Sequence, residues 1–294
     1  MIEELKKLKC GKIYQDVNLE KYTSYKQKEK AKYLVLVESS DKLVKLLKYL
    51  KDNNIKYKII GGGSNLIFDG YYDGVLIKLD FKNITINGRT IIVDAGCNLI
   101  MTALKACKLG LTGLEFATGI PGTVGGAVYN NSGAYGSDMG YVTRKVKVLT
   151  PDLELKEMDN SELDYHYRTS FFKKNPGYII LSATIVLKDG EKNDIMDIVE
   201  DRKKRRIESQ PLEYPSAGSV FRNPPNLFAG KLIEDLGFKG SNVGGAEVSL
   251  KHANFIINKD NATGKDIVEL INKIKTAVKE KYDVDLILEQ EIVK

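Results

Sequence analysis

Residues 110–140 read GLTGLEFATGIPGTVGGAVYNNSGAYGSDMG. Small residues dominate the stretch, yet Leu114, Phe116, Ile120, Val124 and Val128 recur through it, and a disordered linker would not carry them. Glycine loses more conformational freedom on folding than any other residue. Its concentration therefore calls for left-handed turns or for close approach of the backbone to something else. Either the segment is a loop wrapped round a large flat or phosphorylated ligand, or it is a tight packing corner. The ligand-bound loop is the expectation carried forward.

Strand and helix patterns alternate on both sides of it. Toward the N-terminus, KYLVLVES reads as a strand, SDKLVKLLKYLKDNNI as a helix with Ser and Asp at its start, and YKIIGGGSN as a strand ending in glycines. GVLIKL and ITINGRTIIVDAG follow as short strands, the second a hairpin turned at its N-G pair, and NLIMTALKACKLGL is a helix leading into the quoted stretch. Beyond it come the strands KVKVLT, LELKEMD and YIILSATIVLKDG, then a long helix, NDIMDIVEDRKKRRIES, closed by Gln210 and Pro211. After Pro215 the character changes to AGSVFRNPP, a short helix at GKLIEDLG, a strand at NFIIN, a final helix DIVELINKIKTAVKEKY and a last strand DLILEQEIV. The best domain boundary falls near residues 205–215.

Composition excludes several classes. With 294 residues, 43% hydrophobic and 29% charged, the chain reads as a soluble globular protein long enough for two domains. No run approaches the roughly 20 apolar residues of a membrane span. The start, MIEELKKLKCGKIY, has acidic residues at once and no apolar core, so it reads as a short amphipathic helix and not as a secretory signal. Cys10, Cys97 and Cys107 form no C-x-x-C pair, and His166 and His252 stand far apart, so neither a disulfide framework nor a metal centre is expected. A reducing cytoplasm fits. The net charge of +6 comes from lysines scattered over helix faces, and without any nucleic-acid signature it does not call for a nucleic-acid partner. The dense run RKKRRIESQ over residues 202–210 is either a solvated helix face or a steering patch for an anionic small molecule.

Two glycine-rich sites carry candidate chemistry. Gly61, Gly62, Gly63, Ser64 and Asn65 follow a strand but make neither a P-loop, whose G-x-x-x-x-G-K-S/T is absent, nor a dinucleotide fingerprint, whose third glycine is missing. Consecutive glycines still expose backbone N–H groups that can form a nest for a diphosphate. The second site is Pro121, Gly122, Thr123, Val124, Gly125 and Gly126, with Asn130 and Asn131 close behind.

In this order, GGGSN, GLEFATGIPGTVGGAVYNNSGAYG, YRTS, AGSVFRNP and a closing LEQE resemble the UDP-N-acetylenolpyruvoylglucosamine reductases, flavoenzymes that complete UDP-N-acetylmuramate; the likeness runs from about residue 20 to the C-terminus. It implies an α+β chain. A two-lobed FAD-binding domain of the vanillyl-alcohol-oxidase or PCMH type would cover 17–189, with lobes at about 17–76 and 77–189, and a C-terminal α+β substrate-binding domain 205–294. FAD would be held non-covalently, its diphosphate near Gly62 to Asn65 and near Pro121 to Gly126. Gly119, Gly122 and Gly126 would give backbone access, and Asn130 and Ser132 polar contacts; Gly61, Gly63, Ser64, Thr123 and Gly125 complete the cofactor set. NADPH is the implied co-substrate and UDP-N-acetylglucosamine enolpyruvate the implied substrate.

By the same resemblance, Arg168 of YRTS matches the arginine that binds the enolpyruvyl carboxylate, Glu291 of LEQE the acid beside it, and Ser219 of AGS the proton donor. Hydride addition at C3 of the ether pushes negative charge onto C2 and into the carboxylate, where a fixed guanidinium lowers the barrier by kilocalories rather than tenths. Serine is a very weak acid and can protonate C2 only because that carbon is then strongly basic. Glu291, if protonated, donates a hydrogen bond to the enolate. Tyr167, Arg206 and Asn223 are substrate-contact candidates, Tyr167 chiefly through packing and Arg206 through the UDP diphosphate, while His252 and Asn254 fix a turn. Also implied are a monomer or weak oligomer, no membrane insertion, and a place in peptidoglycan precursor synthesis, hence in cell wall biogenesis, cell shape and division.

The chain departs from the family pattern twice. Lys28 and Glu29 stand where the early T-x-F/Y-K/R-x-G-G segment has its glycine pair, which bears on FAD affinity. The stretch between Arg168 and Ser219 is short and matches the subgroup without a tyrosine-bearing loop over the substrate. The rival reading is another flavin oxidoreductase on the same fold, acting on a sugar or hydroxy acid. It would keep the glycine-rich sites but has no reason to keep YRTS, AGSVF and LEQE.

Overall fold

Within the strand Lys30–Val37 the run from Tyr33 onward is continuously apolar, with Leu34, Val35 and Val37 fully buried, as a strand covered on both faces requires. A computed structural model describes residues 2–294 and divides the chain into two compact units. The larger comprises residues up to Gln15, Tyr33–Gly62 and Gly74–Arg205; the smaller comprises Asp16–Lys32, Gly63–Asp73 and Arg206–Lys294.

In the larger unit one sheet runs in the order Gly11–Asn18, Lys30–Val37, Tyr72–Leu79, Tyr57–Ile60, its last two strands parallel. The helix Ser40–Asp52 starts where Ser39 accepts a bond from the Lys42 amide, and it buries Leu43, Leu46, Leu47 and Leu50 along one stripe. Burying each such leucine stabilises by about 1.5–3 kcal/mol before the entropy of ordering is subtracted. A second sheet is antiparallel throughout, in the order Leu155–Asp159, Thr143–Leu149, Ile179–Val186, Thr90–Asp94, Ile84–Asn87. The N-G hairpin is found as expected, with Asn87 opposite Thr90 and Gly88 at φ +52°. Val35 and Leu47 from the first layer and Val93, Val146 and Ile185 from the second lie in one hydrophobic core.

The quoted stretch is not an open loop. It folds as a 3-10 turn at Glu115–Gly119, an α-helix at Val124–Asn130, a small hairpin pairing Gly133–Ala134 with Ser137–Asp138, and a helical turn at Met139–Val142. Thr123 caps the helix through its Oγ1, and Asn131 closes it at φ +44°. Val124, Ala127 and Val128 stand at helical spacing and are buried, so the apolar period outweighed the low helix propensity of the glycines. Two other expectations need correction. The N-terminal helix ends at Lys7 and Gly11–Asn18 is a strand. Of DLILEQEIV only Glu291–Val293 is a strand, because its partner, Leu66–Phe68, is itself only three residues long.

The smaller unit packs the helices Ala229–Asp235 and Gly264–Tyr282 with the short sheet Asn242–Val243, Ala246–Val248, Ile256–Asn258. Gly264–Tyr282 begins with a Thr263/Asp266 capping box and buries Ile267, Leu270, Ile271, Ile274 and Val278. A Cβ at Gly264 would fall 1.7 Å from the Phe68 carbonyl oxygen, so only glycine lets this helix approach the Leu66–Phe68 strand. Among the described residues no helix is long and apolar enough to cross a membrane, and no group of three or more His, Cys, Asp or Glu could hold a metal ion.

Candidate active site

The two glycine-rich sites meet, in part, inside the larger unit. A Cβ at Gly61 would lie 2.6 Å from Thr123 Oγ1, and one at Gly62 would lie 2.9 Å from the Gly122 Cα. A Cβ at Gly125 would lie 2.7 Å from that of Ala95. Much of the glycine content therefore serves backbone packing, the reading set second above. The amides of Val124, Gly125 and Gly126 are also committed, to the carbonyls of Cys97 and Ala95 and to Thr123 Oγ1. Each of those three N–H groups thus already has an acceptor within the chain. Gly126 is different. A Cβ there would meet only Thr123 Oγ1 at 3.4 Å, ordinary contact, so the protein itself does not require glycine at this half-buried position. The side chain of Asn130 turns back onto its own helix, donating to the Gly126 carbonyl at 2.9 Å, and the Ser132 amide and carbonyl bond to Ala127 and Met139.

Arg168 is held unusually firmly. His166 and Thr169 bond to each other in both directions, N–H to carbonyl, and leave Tyr167 and Arg168 as the tip of a two-residue turn. Arg168 sits at φ +56°, a region that costs a non-glycine residue about 1 kcal/mol or more. Four contacts hold the turn there. Its guanidinium Nη2 donates to the Gly133 carbonyl at 2.8 Å, and its own carbonyl accepts from Lys173 Nζ at 3.1 Å. Ser170 Oγ donates to the Tyr129 carbonyl at 2.7 Å. Asn131 Nδ2 donates to the His166 carbonyl at 2.9 Å while its Oδ1 accepts from the Gly140 amide. Ser170 and Asn131 are buried. The exposed Tyr167 ring lies under the guanidinium at 5.2 Å. Gly133 is itself obligatory, since a Cβ would sit 2.5 Å from the Ser137 carbonyl oxygen. In sequence, Asn131 and Ser170 stand inside the quoted motifs with no task of their own, and Lys173 stands outside them.

Ser219 and Glu291 both belong to the smaller unit, where residues 220–222 run antiparallel to 287–289. Phe221 bridges Leu288, the Glu289 amide donates to the Val220 carbonyl, and the Arg222 amide to the Ile287 carbonyl. This places Ser219 beside the segment that carries Glu291. Asn254, buried, clamps both the amide and the carbonyl of Phe221, at 3.0 and 2.8 Å, and its backbone carbonyl accepts from Val220. Its amide is received by His252 Nδ1 at 3.2 Å, and burial holds that imidazole below its usual range. Glu291 is fixed by the parallel pairing of Glu291–Val293 with Leu66–Phe68, its amide donating to the Asn65 carbonyl at 2.9 Å. The Asn65 side chain holds the Glu289 carbonyl at 3.0 Å, so Asn65 supports the acid's strand. Gly63, at φ +65°, has the Tyr22 carbonyl where a Cβ would go. Asn223 Oδ1 accepts from Ala229 at the start of a helix, and Arg206 lies in the last turn of Lys192–Ser209. In the basic run, Arg205 pairs with Asp201 at 2.8 Å and Lys203 with Glu200 at 3.4 Å, as on a solvated face.

Lys28 and Glu29 have local partners. Lys28 Nζ donates to Asn261 Oδ1, and Glu29 Oε1 accepts from the Gly264 amide at 2.5 Å, at the N-terminus of Gly264–Tyr282. They cap and tether that helix. Glu29 Oε2 is buried with no partner, and burial pushes the carboxyl above its usual value.

A family model described as FAD binding domain matches residues 31–159, and one described as UDP-N-acetylenolpyruvoylglucosamine reductase, C-terminal domain, matches residues 210–293. The UDP-N-acetylenolpyruvoylglucosamine reductase of Lactobacillus acidophilus is 44% identical over 283 residues, covering 96% of this chain and 95% of that one. That of Caldanaerobacter subterraneus is 43% identical over 296 residues, covering 100% and 98%. The crystal structure of UDP-N-acetylenolpyruvylglucosamine reductase from Thermus caldophilus superposes with a TM-score of 0.82 at 32% identity, covering 96% of this chain and 98% of that one. A glucose dehydrogenase, Phl p 4, shares the fold alone, with a TM-score of 0.50 at 13% identity over 76% of this chain and 53% of that one. The fold is thus α+β, with the PCMH-type FAD-binding domain and the C-terminal domain that the resemblance implied. The chain belongs to the UDP-N-acetylenolpyruvoylglucosamine reductase family.

Proposed function

We propose that the protein is an FAD-containing UDP-N-acetylmuramate dehydrogenase, which uses NADPH to reduce the enolpyruvyl ether of UDP-N-acetylglucosamine enolpyruvate to UDP-N-acetylmuramate. The observation that carries the reading is the Arg168 turn: a surface ion-pair arginine would need neither the positive φ nor the buried Asn131 and Ser170 that support it. Bound FAD supplies the two-electron relay between NADPH and the double bond. For its diphosphate and ring system we assign the backbone at Gly61, Gly62, Gly119, Pro121, Gly122 and Thr123 and the open position at Gly126; Gly63 and Ser64 continue the same run. Gly125, Asn130 and Ser132 complete that set in and just after the helix Val124–Asn130, and Asn65 joins it from beside the strand that pairs with Glu291–Val293.

The Arg168 guanidinium is the fixed positive fork for the substrate carboxylate. As electron density moves into that carboxylate, the fork's attraction strengthens, which lowers the barrier without tightening ground-state binding equally. Ser219 Oγ delivers the proton to C2, and Glu291 hydrogen-bonds the carboxylate side of the developing enolate. Asn223, with Oδ1 committed to Ala229, offers Nδ2 to the sugar nucleotide, Arg206 offers charge to the diphosphate, and Tyr167 backs Arg168. A FAD-binding domain over 17–189 and a substrate-binding domain over 205–294 fit this division of labour. A cytoplasmic monomer or weak oligomer serving cell wall biogenesis, cell shape and division fits it too; sugar-nucleotide substrates and free, buried cysteines support that setting.

The test is product identity. Protein incubated with NADPH and the enolpyruvyl sugar nucleotide should yield a nucleotide heavier by two hydrogens, with one NADPH consumed per product. Oxygen consumption with a sugar or hydroxy acid, and no such product, would favour the other flavin oxidoreductase.

A further inference from the structure

Gln290 lies between two residues already discussed and was assigned nothing by its sequence. Its side chain is 3% exposed, and every polar atom on it is used. Oε1 accepts from the hydroxyl of the fully buried Tyr25 at 2.9 Å. Nε2 donates one hydrogen to the Ala217 carbonyl and one to the Gly218 carbonyl, each at 3.1 Å. These carbonyls belong to the two peptide planes that flank the Gly218 Cα. Gly218 is at φ +75°, and a Cβ there would meet nothing within 4 Å, so side-chain packing does not fix its conformation. With a positive φ and open space where a Cβ would stand, Gly218 has no side chain to hold its conformation, and the residue that follows it is Ser219. The same side chain leaves the backbone one residue before Glu291, whose amide is bonded to Asn65.

We propose that Gln290 is a positioning residue for proton transfer: its amide fork holds the backbone at Gly218 and so sets Ser219 in register with the strand that carries Glu291. The proposal rests on the reductase reading above. A proton donor displaced by about 1 Å loses on the order of a hundredfold in rate, so two bonds that decide the direction of a serine matter more than their contribution to stability.

Gln290→Met keeps the length and removes the fork. In anaerobic rapid mixing of the holoenzyme, bleaching of the flavin by NADPH should stay within about twofold of the parent protein, while its recovery on adding the enolpyruvyl sugar nucleotide should slow by about tenfold or more. The dissociation constant of that nucleotide for the oxidised holoenzyme, read from the flavin spectrum, should change by less than about threefold. Tyr25→Phe removes the other bond to Gln290 and leaves the fork. It should lower Tm with recovery kept within about threefold. Should Gln290→Met fail to fold, Gln290→Glu carries the same expectation with a sharper sign. Its carboxylate cannot donate to the two carbonyls, but its protonated form can donate to one, so recovery should accelerate as pH falls in this variant relative to the parent.

Equal slowing of bleaching and recovery, or equal slowing of recovery in Tyr25→Phe, would overturn the proposal in favour of a packing role. If the parent protein itself bleaches and does not recover, the reductase reading fails instead.

Discussion

Arg168 combines an unfavourable backbone with a full set of supports. The motif YRTS makes the arginine legible in sequence, but the supports are not, because Asn131, Ser170 and Lys173 act on main-chain carbonyls and leave no pattern of their own. Ser219 and Glu291 are legible for the same reason as Arg168, and Gln290 is hidden for the same reason as Asn131, while Asn254 shows in sequence only as a turn residue and not as the clamp on Phe221. Arg168→Lys keeps a charge but loses the planar fork and the bond to Gly133. Turnover of the enolpyruvyl substrate should fall about a hundredfold while the purified protein keeps its full complement of FAD, measured by steady-state kinetics and flavin absorbance. A loss of less than about threefold would mean that the carboxylate is held elsewhere.

At the scale of elements, the glycine-rich stretch shows what local reading misses. Its apolar residues were recognised, but the helix Val124–Asn130 was not, since glycine at 125 and 126 argues against one and only the docking of that helix against Ala95 and Cys97 overrides the propensity. The two glycines should separate on mutation. Gly125→Ala drives a methyl into Ala95 and should lose about 1–3 kcal/mol of stability in denaturant melts. Gly126→Ala meets only ordinary contact, so the apoprotein should be unchanged or more stable by up to about 1 kcal/mol, and FAD should bind more weakly. Unchanged FAD affinity in Gly126→Ala would remove that position from the cofactor site.

The Gly264–Tyr282 helix offers a pH test. Glu29 at its N-terminus titrates above the usual 4.5 because burial outweighs the help of the Gly264 amide. A carboxyl raised in the folded state contributes stability that is present below the unfolded value and lost as pH rises through the folded one. Glu29→Gln abolishes that dependence. The Tm difference between variant and parent should therefore shift in the variant's favour as pH rises from 4.5 toward neutrality. Parallel curves would show that the carboxyl is not buried as described.

Across the whole molecule, long periodic elements such as Ser40–Asp52 and Gly264–Tyr282 are legible in the sequence, and so is the hairpin of Ile84–Asn87 with Thr90–Asp94. The strand Leu66–Phe68 is not. It exists only because Glu291–Val293 returns to pair with it from the far end of the chain, and Gln27 clasps the amide and carbonyl of Phe68. That closure is what gives Glu291 a fixed place, and no local window contains it. The Lys28–Glu29 departure likewise became readable only with Asn261 and Gly264 in view.

On the reductase reading, one flavin held by this chain takes electrons from NADPH and passes them to an enolpyruvyl ether. The direct measurement is the visible spectrum of the purified protein, mixed anaerobically first with NADPH and then with UDP-N-acetylglucosamine enolpyruvate. Bleaching by NADPH followed by full recovery on adding the sugar nucleotide, one equivalent per flavin, is the predicted result. A flavin that bleaches and stays bleached in the presence of that nucleotide would contradict it.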